Sequence, residues 1–259
     1  MPIGGRGTVI VSPPTFDKSG FARVDAALAA AHAPLSRAWI MARYAEGLQI
    51  RMLKPPQSGL VLFQPGTLAW RPIGGIGRAL VVHDLRVAPG PHARDGVARL
   101  WSVVEAFARY YGFGAVVGLI GTGPGLIAPD HAPGRGWLAL DTGPGGLRLV
   151  GRVLHGPLVL PYLPTDWAGR AAALGHGIVI QTTGESPALE DRAERMVADL
   201  ASAGARARHD RLADADRVRA QAVRPAAVYS VVVDGQLAGG PELTADAILK
   251  RARAWSTGQ

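Results

Sequence analysis

The spacing of apolar and polar residues along the 259-residue chain predicts short strands that alternate with amphipathic helices. The clearest unit is segment 79–111. It opens with a nearly continuous apolar run, Ala79 to Val87, and this density of Val and Leu over a short span predicts a buried strand. A loop rich in Gly and Pro follows, and apolar residues then recur at the spacing of one helix face. The predicted apolar face of this helix consists of Val97, Leu100, Trp101, Val104, Ala108 and Tyr111.

The same patterns predict further elements on both sides of this unit. Helices are expected at 16–31 and 35–46, and strands at 8–12, 48–53, 59–65, 67–72, 115–120, 147–154 and 157–162. Segment 121–146 lacks periodicity and is rich in Gly and Pro, so we expect a long loop there, with only a short turn at 136–140. The first part of the chain is therefore predicted to form a sheet flanked by helices.

The pattern and the charge balance both change near Pro164, and we place a domain boundary there, between 1–160 and 161–259. In the second part, helices are expected at 167–174, 187–203, 214–222 and 244–255, and strands at 177–181, 205–212 and 228–233. Asp234-Gly235 is a hairpin signal and adds a last strand. After the opening helix, the order is strand, helix, strand, helix, strand, strand, helix, which matches the thioredoxin fold.

Composition narrows the function classes. Hydrophobic residues make up 48% of the chain, which is ample for a core, and no apolar run reaches the ~18–20 residues that span a bilayer. The chain has no cysteine, which excludes disulfides, thiolate catalysis and Cys metal sites. The opening residues lack the order of a signal peptide. We therefore expect a cytoplasmic protein that does not bind a membrane, and the scattered histidines predict no metal site.

The net charge of +8 lies entirely in the first part of the chain. Residues 1–160 hold 16 Lys or Arg against 8 Asp or Glu, and residues 161–259 hold 12 against 12. A basic domain suits a polyanionic ligand such as a nucleotide cofactor or a nucleic acid. Because there is no dense Lys/Arg run and no basic helix interleaved with aromatic residues, we expect no nucleic-acid partner.

The loop that precedes the helix of segment 79–111 is the candidate binding site. The first turn of a helix has unpaired N–H groups and carries the positive end of the helix dipole, so it attracts anions. Arg94 adds a charge there, and Gly96 would let a phosphate approach the backbone without a Cβ in the way. The alternative is a strand, a glycine and a helix with no ligand, as in many α/β proteins.

The six residues from Ala93 to Ala98, followed by LWSVVEAFARYYG, resemble the GCN5-related N-acetyltransferases (GNAT). The motif of that family is Gln/Arg-x-x-Gly-x-Gly/Ala; its last three positions fit here, whereas Ala93 stands at the basic or amide position. The resemblance implies that acetyl-CoA is a cosubstrate. It assigns the pyrophosphate to the first turn of the helix and the pantetheine arm to the backbone of the strand. The implied contacts are Arg94, Asp95, Gly96, Val97 and Ala98 for the pyrophosphate, and Leu85, Arg86 and Val87 for the arm.

A second resemblance covers nearly the whole chain. The strings WIMARYAEGLQIRML, FQPGTLAWRPI, LPTDWAGR, GHGIVIQTTGESP and VVVDGQL are similar to the YoaP-like acetyltransferases, with Ala-Trp-Arg-Pro at 69–72 as the best marker. Those relatives carry an appended thioredoxin-fold domain and often have Cys-Pro where this chain has Ser186-Pro187. The implied fold class is α/β (α+β): a GNAT-like mixed sheet flanked by helices, plus a smaller thioredoxin-like domain. Without cysteines, we expect that domain to serve in packing or in binding a protein partner.

Acetyl transfer requires a positioned thioester, a stabilised oxyanion and a deprotonated amine. The resemblance places a general base on the central strand or its neighbour, where His83 and Asp84 are the candidates. Adjacent strand residues face opposite ways, so we expect only one of them to face the cleft. The alternative for His83 is a hydrogen-bonded core residue.

Trp70 and Arg71 are candidates for the acceptor pocket; their alternatives are a core anchor and a salt-bridge partner. His131 is either within reach of a substrate or solvated. Family members often use a tyrosine near the fourth helix as general acid, and this chain has none between Tyr111 and Tyr162.

Two functions follow. The first is an acetyl-CoA-dependent N-acetyltransferase that acts on a small amine or a peptide. The second is a catalytically weak or inactive relative, whose first domain binds acyl-CoA or whose second domain recruits a protein.

Overall fold

The computed structural model of the chain describes residues 7–29, 34–156 and 159–256. Its contacts divide the chain into two compact units. The first unit comprises Met1–Ala69 and Ile73–Leu163, and the second comprises Trp70–Pro72 and Pro164–Gln259. Each unit is built on a sheet of its own. Among the described residues, none of the helices combines the length and the apolar character needed to cross a bilayer.

The first unit contains a seven-stranded mixed sheet with helices packed against it. Its helices are α1 (Phe21–Leu28), α2 (Arg37–Tyr44) and α3 (Ala93–Tyr110), and its strands are β1 (Thr8–Val11), β2 (Gln49–Leu53), β3 (Gly59–Pro65), β4 (Ala79–Val87), β5 (Ala115–Ile120), β6 (Leu138–Thr142) and β7 (Arg148–Val153). The strand order is β1-β2-β3-β4-β5-β7-β6. Only β4 and β5 are parallel; the other neighbours are antiparallel. The predicted mixed sheet flanked by helices is confirmed.

The core of this unit forms between the sheet and α3. Every residue of β4 is buried. The predicted apolar face of α3 is buried as well, except that Tyr111, which follows the last helical residue, is 58% exposed. Fully burying one Val or Leu side chain stabilises a fold by ~1.5–3 kcal/mol, so this face holds α3 firmly against the strands.

A β-bulge interrupts the pairing of β3 with β4. Leu62 pairs with Asp84 but its neighbour Phe63 pairs with Val82, so His83 is an extra residue in β4. Leu80, Val82, Leu85 and Val87 all join the core cluster that includes α3. Val82 and Leu85 both face α3 although they are three residues apart. His83 and Asp84, which lie between them, therefore both face away from α3. The prediction that these two residues face opposite ways is therefore wrong, because the bulge breaks the alternation.

Three predicted elements of the first unit differ in the structure. The expected strand at 67–72 is replaced by a 3₁₀ turn, Gly66–Leu68. A Cβ on Gly66 would lie 2.0 Å from the carbonyl oxygen of Ile76, so the chain turns where only glycine fits. The turn expected at 136–140 is instead strand β6, which pairs with β7. Of the strand expected at 157–162, residues 157 and 158 lie outside the described range, and the rest makes only an isolated bridge through Tyr162.

The helix predicted at 16–31 begins later than expected. Gly20 precedes α1 with a left-handed backbone conformation (φ 78°), and Phe21 is the first helical residue. Residues 30 and 31 lie outside the described range. The helix predicted at 35–46 corresponds to α2, where the hydroxyl of Ser36 accepts a hydrogen bond from the Trp39 N–H.

The second unit contains a four-stranded sheet. Its helices are α4 (Trp167–Ala172), α5 (Pro187–Ser202), α6 (Ala215–Gln221) and α7 (Ala245–Ser256), and its strands are β8 (Ile178–Thr182), β9 (Ala207–Arg211), β10 (Tyr229–Val233) and β11 (Gln236–Gly239). The strand order is β11-β10-β8-β9, in which only β8 and β9 are parallel. Asp234 and Gly235 both have positive φ and form the predicted hairpin turn between β10 and β11.

Candidate functional site

The two parallel strands of the first unit separate before they end. Their ladder runs from the pair Ala79 and Ala115 to the pair Val82 and Gly118. β4 then continues to Val87 and β5 continues to Ile120. Among the described residues, no strand pairs with the edge of β4 that faces away from β3 beyond Val82. The bulge at His83 lies where the ladder stops, so a fork opens between the two strands, and in the described part of the chain this edge of β4 has no strand partner there.

A cleft of about 640 Å³ lies at the end of β4, beyond the last residue that pairs with β5. Its walls are the end of β4, the loop and first turn that lead into α3, the end of α1, and a 3₁₀ turn at Pro129–His131. The lining residues are Ala27, Leu28, Arg86, Val87, Pro89, Gly90, Pro91, Ala93, Arg94, Val97, Ala128, Asp130 and His131. The cleft therefore brings together the predicted strand end and the predicted helix N-terminus.

The first turn of α3 offers hydrogen-bond donors to this cleft. The N–H of Ala93 donates to the carbonyl oxygen of Gly90 (3.1 Å), and the N–H of Gly96 donates to that of His92 (3.0 Å). The N–H groups of Arg94 and Asp95 have no acceptor among the described residues. The exposed Arg94 side chain lines the cleft beside these amides, and the carboxylate of Asp130 lines it as well.

Gly96 faces the sheet and not the cleft. A Cβ at this position would lie 2.9 Å from Leu53 Cδ1 and 3.0 Å from Val87 Cγ1. Glycine is therefore needed for the close contact between α3 and the strands beneath it, rather than for the approach of a phosphate. Val97 lines the cleft, whereas Ala98, on the outer side of the helix, is exposed.

A buried ion cluster lies beside the cleft and involves one candidate base. Arg86 Nη1 is 2.8 Å from Asp25 Oδ1 of α1, and Arg86 Nη2 contacts Asp84 Oδ2. Asp25 Oδ2 also accepts a hydrogen bond from the N–H of Leu35 (2.9 Å). Burial raises the pKa of Asp25, with the charge of Arg86 opposing that effect. Burial alone would lower the pKa of Arg86, but Asp84 and Asp25 together outweigh it and raise that pKa.

The two candidate bases therefore have different surroundings. Asp84 is held by Arg86, so its use as a proton acceptor requires the carboxylate to give up part of a buried ion pair. His83 is 1% exposed and contacts the ring of Trp39 edge-on, with ring centroids 6.2 Å apart. Both side chains lie on the face of the sheet that carries α1 and α2.

His131 was left open by the sequence and lies in the cleft wall. Its carbonyl oxygen accepts a hydrogen bond from Trp101 Nε1 (3.0 Å), which fixes the turn to α3. Its Nδ1 atom is sealed and has no hydrogen-bond partner among the described residues. The surrounding segment has no periodicity, so only the tertiary structure brings His131 into the same cleft as Arg94.

Trp70 and Arg71 are buried and belong to the second unit. Arg71 makes a two-point ion pair with Glu185, with Nη1 to Oε2 at 2.9 Å and Nη2 to Oε1 at 3.0 Å. Its Nη1 also donates to the carbonyl oxygen of Trp70 (2.8 Å). This pair accounts for the burial of Arg71 without a ligand, whereas the lining of the cleft comes from the first unit alone.

The remaining chemistry is limited. Among the described residues, no group of three or more His, Asp or Glu side chains is arranged to hold a metal ion. Ser186 accepts a hydrogen bond from the Leu189 N–H and caps α5, with Pro187 as the first helical residue.

Comparisons with known proteins add one structural likeness. No family model matches the chain, and no curated protein matches it. The chain is similar to the crystal structure of a ribosomal-protein-alanine N-acetyltransferase from Brucella melitensis, with 14% identity and a TM-score of 0.35, over 57% of this chain and 99% of that one. A likeness at this TM-score and identity decides neither the fold nor the activity of the chain.

Proposed function

We propose that the protein is an acetyl-CoA-dependent N-acetyltransferase of the GNAT type that acts on a small amine or a peptide. The observation that carries this proposal is the cleft that the end of β4, beyond its ladder with β5, shares with the N-terminus of α3. A bare strand edge suits the amide groups of a pantetheine arm, and the helix N-terminus suits the phosphates at the other end of the same molecule.

In this proposal each part of acetyl-CoA has its own contacts. The pyrophosphate lies against the N–H groups of Arg94 and Asp95 and the side chain of Arg94. The pantetheine arm runs along Leu85, Arg86 and Val87 as an added strand would. The thioester then lies towards the fork, where backbone N–H groups of β4 polarise its carbonyl.

The transfer itself needs little covalent help. The amine nitrogen attacks the thioester carbonyl carbon, the C–S bond breaks, and the electron pair goes to sulfur. His83 and Asp84 are the proposed acceptors of the amine proton. We place neither of them first, since Asp84 is paired with Arg86 and His83 is 1% exposed.

For the second unit we propose a cysteine-free thioredoxin-like domain over 161–259, next to the acyl-CoA-binding domain over 1–160. The order β11-β10-β8-β9, with only β8 and β9 parallel, supports this assignment. We propose a role in packing or in binding a protein partner, and a cytoplasmic location for the whole chain.

The second candidate is an acyl-CoA-binding relative with weak or no transfer activity. Two features favour it: Ala93 at the basic or amide position of the motif, and the lack of tyrosine between Tyr111 and Tyr162. This second candidate would bind acyl-CoA in the same cleft as the first, but would transfer the acetyl group slowly or not at all.

A transfer assay separates the two candidates. Release of free CoA from acetyl-CoA is followed with a panel of small amines and N-terminal peptides, and acetylated products are identified by mass spectrometry. The enzyme proposal predicts release that depends on the amine and falls at least tenfold in Arg94→Ala. Arg109→Ala is the matched control, because this exposed arginine lies in the last turn of α3, ~20 Å away at 1.5 Å per residue. Acetyl-CoA binding without amine-dependent release supports the second candidate, and no binding overturns both.

A further inference from the structure

The segment that follows β5 returns to the edge of β5 that β4 leaves uncovered. β7 pairs with β5 along the whole of 115–120, so only the opposite edge is open there. The N–H of Ile127 donates to the carbonyl oxygen of Leu119 (2.9 Å), and the carbonyl oxygen of Ile127 accepts from the N–H of Gly121 (2.9 Å). These bonds form a parallel bridge between Ile120 and Ile127. Ile127 therefore lies inside the fork between β4 and β5.

The side chain of Ile127 fills the closed end of this fork. It is 1% exposed and joins the core cluster that contains Val82, Leu85 and Trp101. A Cβ on Gly118, the last residue of β5 in the ladder, would lie 3.0 Å from Ile127 Cδ1 and 3.1 Å from Trp101 Cη2. The space between β4 and β5 beyond Gly118 is therefore already filled by the packed side chains of Ile127 and Trp101.

The cleft ends at the same place. Ala128, the next residue, is part of the cleft wall, whereas Ile127 lies in the core behind it. A ligand with its phosphates at the N-terminus of α3 and its arm along β4 would extend its acyl group towards the fork. The acyl group would then meet Ile127.

We infer that Ile127 determines which acyl groups the site accepts: acetyl fits, and longer acyl chains are excluded. This inference rests on the proposed function, since it requires acyl-CoA in the cleft. The physical reason is that a longer chain must displace a packed core side chain, and packed cores resist even one added methylene.

Dissociation constants test the inference without knowledge of the acceptor. Calorimetric titrations with CoA, acetyl-CoA, butyryl-CoA and hexanoyl-CoA are compared, and the value for unacylated CoA removes the contribution of the nucleotide and the arm. The wild type is expected to bind hexanoyl-CoA at least ~10-fold more weakly than acetyl-CoA, the discrimination that a tight apolar pocket supplies. Ile127→Ala is expected to reduce that ratio at least tenfold, and Ile127→Val to reduce it by less.

Val116→Ala is the matched control, because Val116 belongs to the same buried core but pairs with Leu80 inside the ladder. It is expected to leave the hexanoyl-to-acetyl ratio unchanged. If circular dichroism shows that Ile127→Ala does not fold, the hexanoyl-to-acetyl ratio of the milder Ile127→Val variant is used instead, and it is still expected to fall. A wild type that binds hexanoyl-CoA as tightly as acetyl-CoA, or Ile127 variants with an unchanged ratio, would overturn the inference while acetyl-CoA binding stands. A protein that binds none of the four ligands fails at the proposed function itself.

Discussion

Replacing Arg86 by Met should strongly destabilise the first unit. Arg86 lies between Asp25 and Asp84, whose side chains are 5% and 8% exposed, and it is 2.8 Å from the nearer oxygen of Asp25. Met keeps most of the apolar contact but leaves two adjacent carboxylates without their cation. Breaking a buried ion pair by removing one partner costs ~3–5 kcal/mol. At ~2–4 °C per kcal/mol for a protein of this size, the melting temperature should fall by ~6–20 °C.

A triple variant separates the charge effect from lost packing. Arg86→Met combined with Asp25→Asn and Asp84→Asn leaves no charge behind, and the new amide oxygen at position 25 would still accept the hydrogen bond from the N–H of Leu35. We expect it to recover at least half of the loss, because uncompensated charge is the main cost. Urea unfolding followed by circular dichroism, with each unit fitted as its own transition, measures both variants. A loss below ~1 kcal/mol in Arg86→Met, or no recovery in the triple variant, would refute a buried, mutually dependent cluster.

The remaining predictions concern three single sites. Asp25→Asn should flatten the pH dependence of the free energy of unfolding. Folding raises the pKa of Asp25, so the wild type loses stability as pH rises from about 3.8 through that raised pKa, and the Asn variant does not. If urea unfolding gives the two proteins the same change of unfolding free energy with pH, the prediction is wrong. Gly96→Ala should lower the free energy of unfolding by ~1–3 kcal/mol, since its Cβ would lie 3.0 Å or less from two side chains. Gly134→Ala is the control and should be neutral, because a Cβ there has nothing within 4 Å. Similar losses of unfolding free energy in the two variants would contradict this explanation. Glu185→Ala should destabilise the second unit by ~3–5 kcal/mol, because it removes the carboxylate that pairs with the buried Arg71 guanidinium. Hydrogen exchange in α5 that stays as slow as in the wild type would contradict this.

Most of the elements could be predicted from the sequence because their signals are local. The unit 79–111 combines a dense apolar run, a Gly/Pro loop and a helical apolar face, and the structure has β4 and α3 at these positions. In the second unit, Asp234-Gly235 predicted its hairpin because both positions need positive φ.

The features that shape the candidate site depend on pairing between distant segments. The bulge at His83 follows from the register of β4 against β3, and the fork follows from where β4 and β5 stop pairing. Neither the bulge nor the fork can be predicted from the apolar and polar pattern of a single strand. Strand β6 was missed because none of its residues is buried, so it carries no alternation of apolar and polar positions.

Long-range partners decided the role of individual side chains. Glu185 lies 114 residues from Arg71, yet it forms the ion pair that buries that arginine. His131 reaches the cleft because its carbonyl oxygen accepts a hydrogen bond from Trp101, 30 residues earlier. The residue types alone left both roles open.

Hydrogen–deuterium exchange with and without acetyl-CoA shows whether the cofactor binds between β4 and α3, because it locates the ligand on the chain. We expect slower exchange in peptides covering 83–97, which include the edge of β4 and the first turn of α3, and unchanged exchange in peptides covering β8 and α5. Protection confined to the second unit, or none anywhere at saturating acetyl-CoA, would contradict this expectation.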